Sequence, residues 1–308
     1  MRSRLNPPVR RRVSGCALGS SGISRRLLSW FLVALAGPAY PAFEITGGGA
    51  RSTGLGGAFT AGVDVEAVWF NPAANARAQK LRVGTAHTRL YSGLDESPSL
   101  SVLGVVLPVG GGSLQLGWSS LGGKDWREQV GIVGYGRALH QRVALGTALR
   151  CSGWKTSGLS HRVWSADLGG IYEVGWVRNK VYIRLGLMLA NIKRANIAAS
   201  GDPAGKTPRG LVLAASANLG RQQVLMDLER RGGRTEFRAG YESPFSRARG
   251  LAFRLGGRFL PSDREAKQVD VGLGYRWNQW HFNYAYSHPL HPTGLGGIHR
   301  AGFEYRGH

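Results

Sequence analysis

The chain has 308 residues, of which 43% are hydrophobic, and its 47 glycines follow no collagen-like period. This composition excludes a fibrous chain and shows none of the features of a disordered one. The formal net charge is +22, but the basic residues are mostly scattered arginines, without the basic helix, zinc spacing or aromatic run of a nucleic-acid-binding domain. We therefore expect no nucleic-acid partner.

Residues 1–42 have the pattern of a signal peptide. Seven arginines precede or flank an apolar run at 27–36, and small or helix-breaking residues follow it up to an expected cleavage after Ala42. The apolar run of about ten residues is too short to span a membrane, because a spanning helix needs about 20. Its removal leaves a charge of 22 − 7 = +15 and removes Cys16, so Cys151 should have no disulfide partner.

Residues 43–80 are rich in glycine and alanine, which allow close backbone packing. Asp64 is a good N-cap for a short helical turn, and Asn71-Pro72 should end that turn. We predict that this segment is a small N-terminal hatch, or plug, that precedes the main domain.

From residue 81 to the end, apolar and polar residues alternate in runs of about 8–11 positions, a length that suits a tilted membrane strand. The sequence predicts an all-β fold for 81–308, a transmembrane antiparallel β-barrel of about fourteen strands. The predicted strands are 81–90, 99–108, 112–119, 129–139, 141–152, 162–174, 180–191, 208–219, 222–230, 234–243, 251–259, 269–277, 280–287 and 299–306.

The connections between these strands alternate between short and long, as in bacterial barrels, except around 231–233 and 243–249. A soluble β-sandwich would also alternate. Two features favour the barrel: aromatic residues end the predicted outer faces, and charges of both signs occupy the opposite faces. The charges that we expect to line the lumen are Arg184, Glu236, Arg238, Arg254, Arg258, Asp270, Arg276, Arg300 and Glu304.

The stretch 47–74 contains a motif of small residues followed by an aromatic-x-Asn-Pro-Ala sequence. It resembles the N-terminal hatch of the FadL-like outer-membrane proteins, and above all the shorter PorV/PorQ branch. The matching residues are Gly49, Ala50, Arg51, Gly54, Gly56, Gly57, Ala58, Ala61, Asp64, Ala67, Trp69, Asn71, Pro72 and Ala73. The resemblance implies a fourteen-stranded barrel in the bacterial outer membrane with a periplasmic plug, in which Gly54, Gly56, Gly57, Asp64, Asn71, Pro72 and Ala73 carry the hatch motif.

The same resemblance implies two functions. One is an accessory role in protein secretion or surface attachment, with a translocon or cargo protein as partner. The alternative is a FadL-like channel for the uptake of hydrophobic small molecules. The short chain and the charged lumen favour the accessory, and lipid or lipopolysaccharide of the outer membrane is the expected surrounding partner.

Three patterns suggest chemistry, and we expect none of them to carry it. The glycine-rich stretch 201–207 has three residues between its glycines, where a phosphate-binding loop has four. His288, His291 and His299 lack a nearby carboxylate or cysteine to complete a metal site. The lumen carboxylates could support hydrolysis, but they face many arginines, so an outer-membrane hydrolase is the least favoured function. We predict no catalytic residue, metal or cofactor.

Overall fold

The computed structural model describes residues 47–307, apart from 95, 179, 202–204, 246–249, 262–264 and 291–295. The predicted signal peptide at 1–42 lies outside these residues, as do His291 and the middle of the glycine-rich stretch. No helix in the described ranges has the length and apolar character needed to cross a membrane.

In the described part of the chain, fourteen antiparallel strands close into a single barrel, which confirms the predicted architecture. Each strand pairs with its neighbours along the chain, and the first pairs with the last. The strands are β1 (Arg82–Arg89), β2 (Ser99–Val109), β3 (Gly112–Gly122), β4 (Trp126–Ala138), β5 (Val143–Thr156), β6 (Leu159–Val177), β7 (Val181–Ala190), β8 (Gly210–Leu219), β9 (Gln222–Arg231), β10 (Arg234–Pro244), β11 (Leu251–Leu260), β12 (Glu265–Trp277), β13 (Trp280–Pro289) and β14 (Ile298–Arg306).

The observed boundaries differ most from the predicted ones in the hairpin of β5 and β6. These strands pair with each other as far as Thr156 and Leu159, whereas β7 ends at Ala190, opposite the middle of β6. Beyond that level, β5 is the only full strand among the described residues with which β6 pairs. The two strands of the hairpin therefore stay paired by backbone hydrogen bonds in a region where apolar and polar residues no longer alternate clearly.

The two ends of the barrel have different connections. Arg82 pairs with Arg306, so the barrel starts and finishes at the same end, which we call the turn end. Short connections such as 110–111 and 220–221 lie there, and longer ones such as 90–98 and 191–209 lie at the opposite end, the loop end. The connections at 123–125, 157–158 and 232–233 are short although they lie at the loop end, and 245–250 is longer although it lies at the turn end. The first two were predicted to be long, and they are short because β3 to β6 extend further than the alternating pattern predicted.

The outer wall exposes large apolar side chains. Val133 is 54% exposed, Leu149 57% and Leu213 51%. Exposed aromatic residues lie on both sides of this aliphatic band: Trp118, Trp164 and Tyr284 towards the loop end, and Tyr172, Trp176, Trp277 and Trp280 towards the turn end. A soluble monomer rarely exposes so large an apolar area, whereas membrane barrels have an aliphatic band between aromatic girdles. The wall therefore has the surface of a membrane-spanning barrel.

Residues 47–76, which we call the inner segment, lie within the barrel. A one-turn helix, α1 (Ala50–Gly54), contacts β11 to β14. A 3₁₀ turn at Val65–Trp69 contacts β1 to β4 on the other side. Between them Leu55 and Phe59 are fully buried, and the rings of Phe59 and Phe70 pack at 5.5 Å between centroids.

Candidate functional site: the inner segment and the barrel lumen

Arg51 of α1 is the centre of a buried polar cluster. Its Nη1 donates to Asp64 at 2.7 Å, and its Nε and Nη2 donate to the two carboxylate oxygens of Glu242, each at 2.9 Å. Nη2 also donates to Gln223 at 3.0 Å, and Arg254 donates to the same Glu242 at 2.5 Å. Burial alone would lower the pKa of Arg51, but Glu242 and Asp64 raise it well above its ordinary value.

Two carboxylates of the 3₁₀ turn organise the inner segment. Asp64 accepts a hydrogen bond from the backbone N–H of Glu66 at 2.7 Å, which is the N-cap role that the sequence predicted. Glu66 accepts hydrogen bonds from the backbone N–H groups of Gly49, Arg51 and Ser52 at 3.1, 3.0 and 2.7 Å. Burial, and then the neighbouring Asp64, raise the pKa of Glu66. These bonds tie the 3₁₀ turn to α1.

The charged strands also bind the backbone of the inner segment. Asp227 accepts hydrogen bonds from the N–H groups of Phe59 and Thr60 at 3.1 and 3.0 Å. Arg258 donates to the carbonyl oxygen of Gly56 at 3.2 Å. The predicted lumen charge Arg258 therefore contacts the hatch motif directly.

Arg300 is nearly completely buried and connects β14 to the beginning of the inner segment. Its Nη1 donates to the carbonyl oxygen of Gly48 at 2.8 Å and to the hydroxyl of Thr53 at 2.7 Å. Its Nε donates to Thr88 of β1 at 2.5 Å. One guanidinium thus fastens the inner segment to both strands at the barrel closure.

The Asn71 amide fastens the other end of the inner segment. Its Nδ2 contacts the carbonyl oxygens of Thr60, Gly170 and Leu187 at 3.1, 3.2 and 3.4 Å. Its Oδ1 accepts a hydrogen bond from the N–H of Ala73 at 2.9 Å. Asn71 therefore links the turn at 71–74 to β6 and β7.

Pro72 lies against the wall near the same place. Gln115 of β3 donates to the Pro72 carbonyl oxygen at 2.6 Å. A Cβ on Gly136 would lie 2.3 Å from the Pro72 oxygen, and one on Gly146 would lie 2.6 Å from the nitrogen of Ala73. Asn71, Pro72 and Ala73 thus form a contact surface, and glycines of β4 and β5 make room for it.

The three hatch-motif glycines sit where the inner segment meets β11 and β12. Gly56 has a φ of +69°, and a Cβ there would lie 2.5 Å from the backbone nitrogen of Gly257. Gly57 has a φ of +76°, and a Cβ on Gly54 would lie 3.1 Å from the Cα of Gly272. Both the backbone conformation and the close approach therefore require small residues here.

Four of the other six predicted lumen charges form ion pairs on the inner face. The pairs are Arg184 with Glu173 at 2.6 Å, Arg238 with Glu236 at 2.5 Å and also with Glu229, and Glu304 with Arg306 at 2.8 Å. Asp270 instead accepts hydrogen bonds from Gln268 at 2.5 Å and from Ser287. Arg276 has the same strand parity as Asp270 but lies exposed near the turn end.

The lumen is not polar all round, which corrects the sequence-based expectation. The apolar ones among the inward side chains of β1 to β5 form a buried cluster with the 3₁₀ turn. Its members are Val65, Val68, Trp69, Ala86, Leu90, Leu100, Val102, Val106, Leu121, Val130, Ile132 and Ala148. The alternating pattern missed this cluster because β2 is apolar on both faces: Leu100 is buried inside, and Leu103 is exposed outside.

The inner segment fits closely against part of the wall. Between it and strands β14, β1 and β2 lies a cavity of about 20 Å³, bordered by Gly49, Glu66, Trp69 and Phe303 among others. That volume is enough for about one water molecule. A larger solute could pass this point only if the inner segment moved.

No family model and no curated protein matches this chain. Several solved structures share its fold. The toluene transporter TbuX of Ralstonia pickettii has a TM-score of 0.58 at 11% identity, over 87% of this chain and 100% of that one. The toluene transporter TodX of Pseudomonas putida has a TM-score of 0.58 at 12% identity, over 87% and 100%. A FadL homologue of Pseudomonas aeruginosa has a TM-score of 0.53 at 11% identity, over 85% and 98%.

At these identities the similarity establishes the fold, which is that of the FadL-type outer-membrane barrels. The fold that the FadL-like resemblance implied is therefore confirmed. The assignment to the PorV/PorQ branch stays a prediction.

Proposed function

We propose that this protein is an outer-membrane channel of the FadL type that admits small hydrophobic molecules, with the inner segment as its hatch. In this proposal residues 1–42 direct export, and the loop end faces outward because long connections lie there. We prefer the channel to the role as a secretion accessory, although the short chain and the charged lumen favour the accessory.

The apolar side of the lumen is the observation on which this proposal rests. The cluster on β1 to β5 reaches Leu90 and Tyr91 at the loop end and continues down to Trp69 and Ala148. A hydrophobic solute gains roughly 25 cal/mol for each Å² of apolar surface that it removes from water, so it would partition to this side rather than to the charged side. A passage needs such a surface, whereas a protein-docking accessory does not.

The 3₁₀ turn occupies this apolar surface in the observed state. Val65, Val68 and Trp69 pack against β1 to β4, and a Cβ on Gly117 would lie 3.1 Å from Val68. We infer that the turn leaves this surface when a solute passes. The toluene transporters TbuX and TodX share the fold, which is why we choose toluene as the test solute.

We also propose that the protein is not an enzyme. The lumen carboxylates Glu229, Glu236 and Glu242 each form an ion pair with an arginine. A general acid or nucleophile needs a carboxylate that is available to a substrate, and a paired carboxylate is not. If the purified protein showed hydrolytic turnover and a triple Glu→Gln variant at these positions retained it, these three carboxylates would not be its source.

Uptake of labelled toluene into vesicles that contain the purified barrel tests the channel. We expect flux above that of protein-free vesicles, and a several-fold increase in the Trp69→Ala variant, because removal of the indole loosens the packing of the hatch on the apolar side. Trp277→Ala, which changes an exposed tryptophan on the outer wall, should leave the flux unchanged.

Two results would contradict the proposal. One is a toluene flux through the wild-type protein that equals the flux into empty vesicles, together with the same flux in the Trp69→Ala variant. The other is an equal increase for toluene and for a sugar of similar size, because a polar solute should not use the apolar side. Co-purification with a secretion translocon in the absence of flux would support the accessory instead.

A further inference from the structure

A groove of about 680 Å³ crosses the outer face of β3 to β6 near the loop end. Three exposed basic residues, Arg127, Lys155 and Arg162, contribute to its lining. Successive side chains of a strand point to opposite faces. Val130 of β4 and Ser152 of β5 are buried in the lumen, so Arg127 and Lys155, which lie an odd number of residues away from them, point outward. These charges therefore lie outside the lumen network that holds the inner segment.

The strand register brings the three cations together. Arg127 lies directly opposite Lys155, and Arg162 lies opposite Gly153. The Arg162 side chain leans over Gly153, with its Cγ 3.0 Å from the point where a Cβ on that glycine would lie. Like charges directly across a strand pair repel each other. Among the described residues, none of the three cations forms a salt bridge within 4.0 Å, including with Asp125 in the adjacent turn.

The floor of the groove is small and apolar at the level of Gly131 and Cys151, and Gln129 and Ser160 line it closer to the cations. In strand register, Trp118 lies opposite Gly131, Gly131 opposite Cys151, and Cys151 opposite Trp164. A Cβ on Gly131 would meet no atom within 4 Å, so the groove is open at this point. Exposed tryptophans mark the level where acyl chains meet headgroups, and the three cations lie on the loop-end side of this row.

The hairpin that carries two of the cations is held in place from inside the barrel. Trp154 donates from Nε1 to the carbonyl oxygen of Ile197 at 2.8 Å, and a ring nitrogen of His161 contacts the carbonyl oxygen of Asn196 at 3.0 Å. Lys155 and Arg162 directly follow these two residues in the chain. Asn196 and Ile197, in the connection after β7, therefore hold the backbone that carries the cations, which lowers the ordering cost of binding.

We propose that this groove binds the phosphorylated headgroup of a membrane glycolipid of the lipopolysaccharide type. The phosphates would lie among Arg127, Lys155 and Arg162, and an acyl chain would cross Gly131 beside Trp118. Anionic headgroup charge removes the repulsion between the paired cations, and the apolar floor selects a lipid over a soluble phosphate. The proposal rests on the outer-membrane location given above, but not on transport.

Native mass spectrometry of the full-length barrel with bisphosphorylated lipid A tests this site. The triple variant Arg127→Gln, Lys155→Gln, Arg162→Gln should bind roughly 100-fold more weakly, since each cation near a lipid surface contributes a several-fold factor. The control Arg137→Gln, Lys180→Gln, Arg221→Gln removes the same charge from exposed positions at the turn end and should bind as the wild type does. An equal loss in the two triple variants would overturn the proposal.

Gly131→Leu tests the acyl part of the groove while it leaves the three cations unchanged. We expect weaker binding of lipid A and unchanged binding of free pyrophosphate, and dephosphorylated lipid A should bind weakly to every variant. Pyrophosphate that competes with lipid A at equal affinity would overturn the lipid assignment. Toluene flux should be the same in all of these variants, so a failed lipid site and a failed channel give different results.

Discussion

The two short helical turns of the inner segment meet the barrel in opposite ways. On the α1 side, Arg51, Arg258 and Arg300 make hydrogen bonds and ion pairs between the segment and the wall. On the other side, the 3₁₀ turn packs Val65 and Val68 against apolar strands. Polar contacts depend on direction and distance, whereas apolar packing depends mainly on buried area.

This difference indicates how the hatch would move. A buried ion pair that loses its geometry leaves uncompensated charges, so the α1 side should stay in place. An apolar solute can replace the side chains of the 3₁₀ turn on their own surface, so that side can separate at less cost. We therefore expect the apolar side chains of the 3₁₀ turn to separate from β1 to β4, while α1 stays on β9 to β14 and the turn at 71–74 stays bonded to its strands.

The strongest way to break this asymmetry is to remove the anchor. Arg51→Ala leaves Asp64 and Glu242 buried without their main partner, and we expect the docking of the inner segment to lose about 3–5 kcal/mol. Amide hydrogen exchange of residues 47–76 should become much faster. Arg51→Lys, which retains the charge but not the bidentate pair, should have an intermediate effect. Unchanged exchange in Arg51→Ala would show that the cluster does not anchor the segment.

A smaller effect is expected from crowding the anchored side. A Cβ on Gly256 would lie 2.1 Å from the backbone nitrogen of Gly56, so Gly256→Ala should push the inner segment away and cost about 1–3 kcal/mol. The matched change Gly131→Ala on the outer wall meets no atom within 4 Å and should be neutral. Urea unfolding in lipid vesicles gives both values. Equal stability of the two variants would contradict the close approach.

The smallest effect is expected on the apolar side. Ile132→Val removes one methylene from the cluster that covers the 3₁₀ turn, and the expected loss of stability is about 0.5–1.5 kcal/mol. Exchange should become faster at 65–69 and stay unchanged at 50–54. Val133→Ala, at the exposed neighbouring position, is the control and should change neither. Faster exchange in both turns would mean that the inner segment moves as one body.

The alternating pattern predicted the barrel because strand parity is a property of neighbouring residues. A side chain at position i and one at i+2 share a face whatever the rest of the chain does. The pattern failed where both faces are apolar, as in β2, since parity then carries no information about which face is inside. It also gave shortened limits for β5 and β6, where backbone pairing continues without alternation.

The candidate site was predicted in part. The resemblance in the sequence identified Arg51 and Asn71, and the short helical turn after Asp64 identified the N-cap. The partners could not be found in this way. Glu242 lies 191 residues from Arg51, and Leu187 lies 116 residues from Asn71, so no local pattern relates them.

By itself, the sequence determined that fourteen strands alternate, that one face of most strands is apolar, and that a segment of small residues precedes them. Only the tertiary structure decided which strands have a charged inward face and which have an apolar one. It also decided which side of the inner segment contacts each of these two faces. The reason is physical. Alternation is set within each strand, whereas these contacts depend on the register of all fourteen strands and on the closure of β1 against β14.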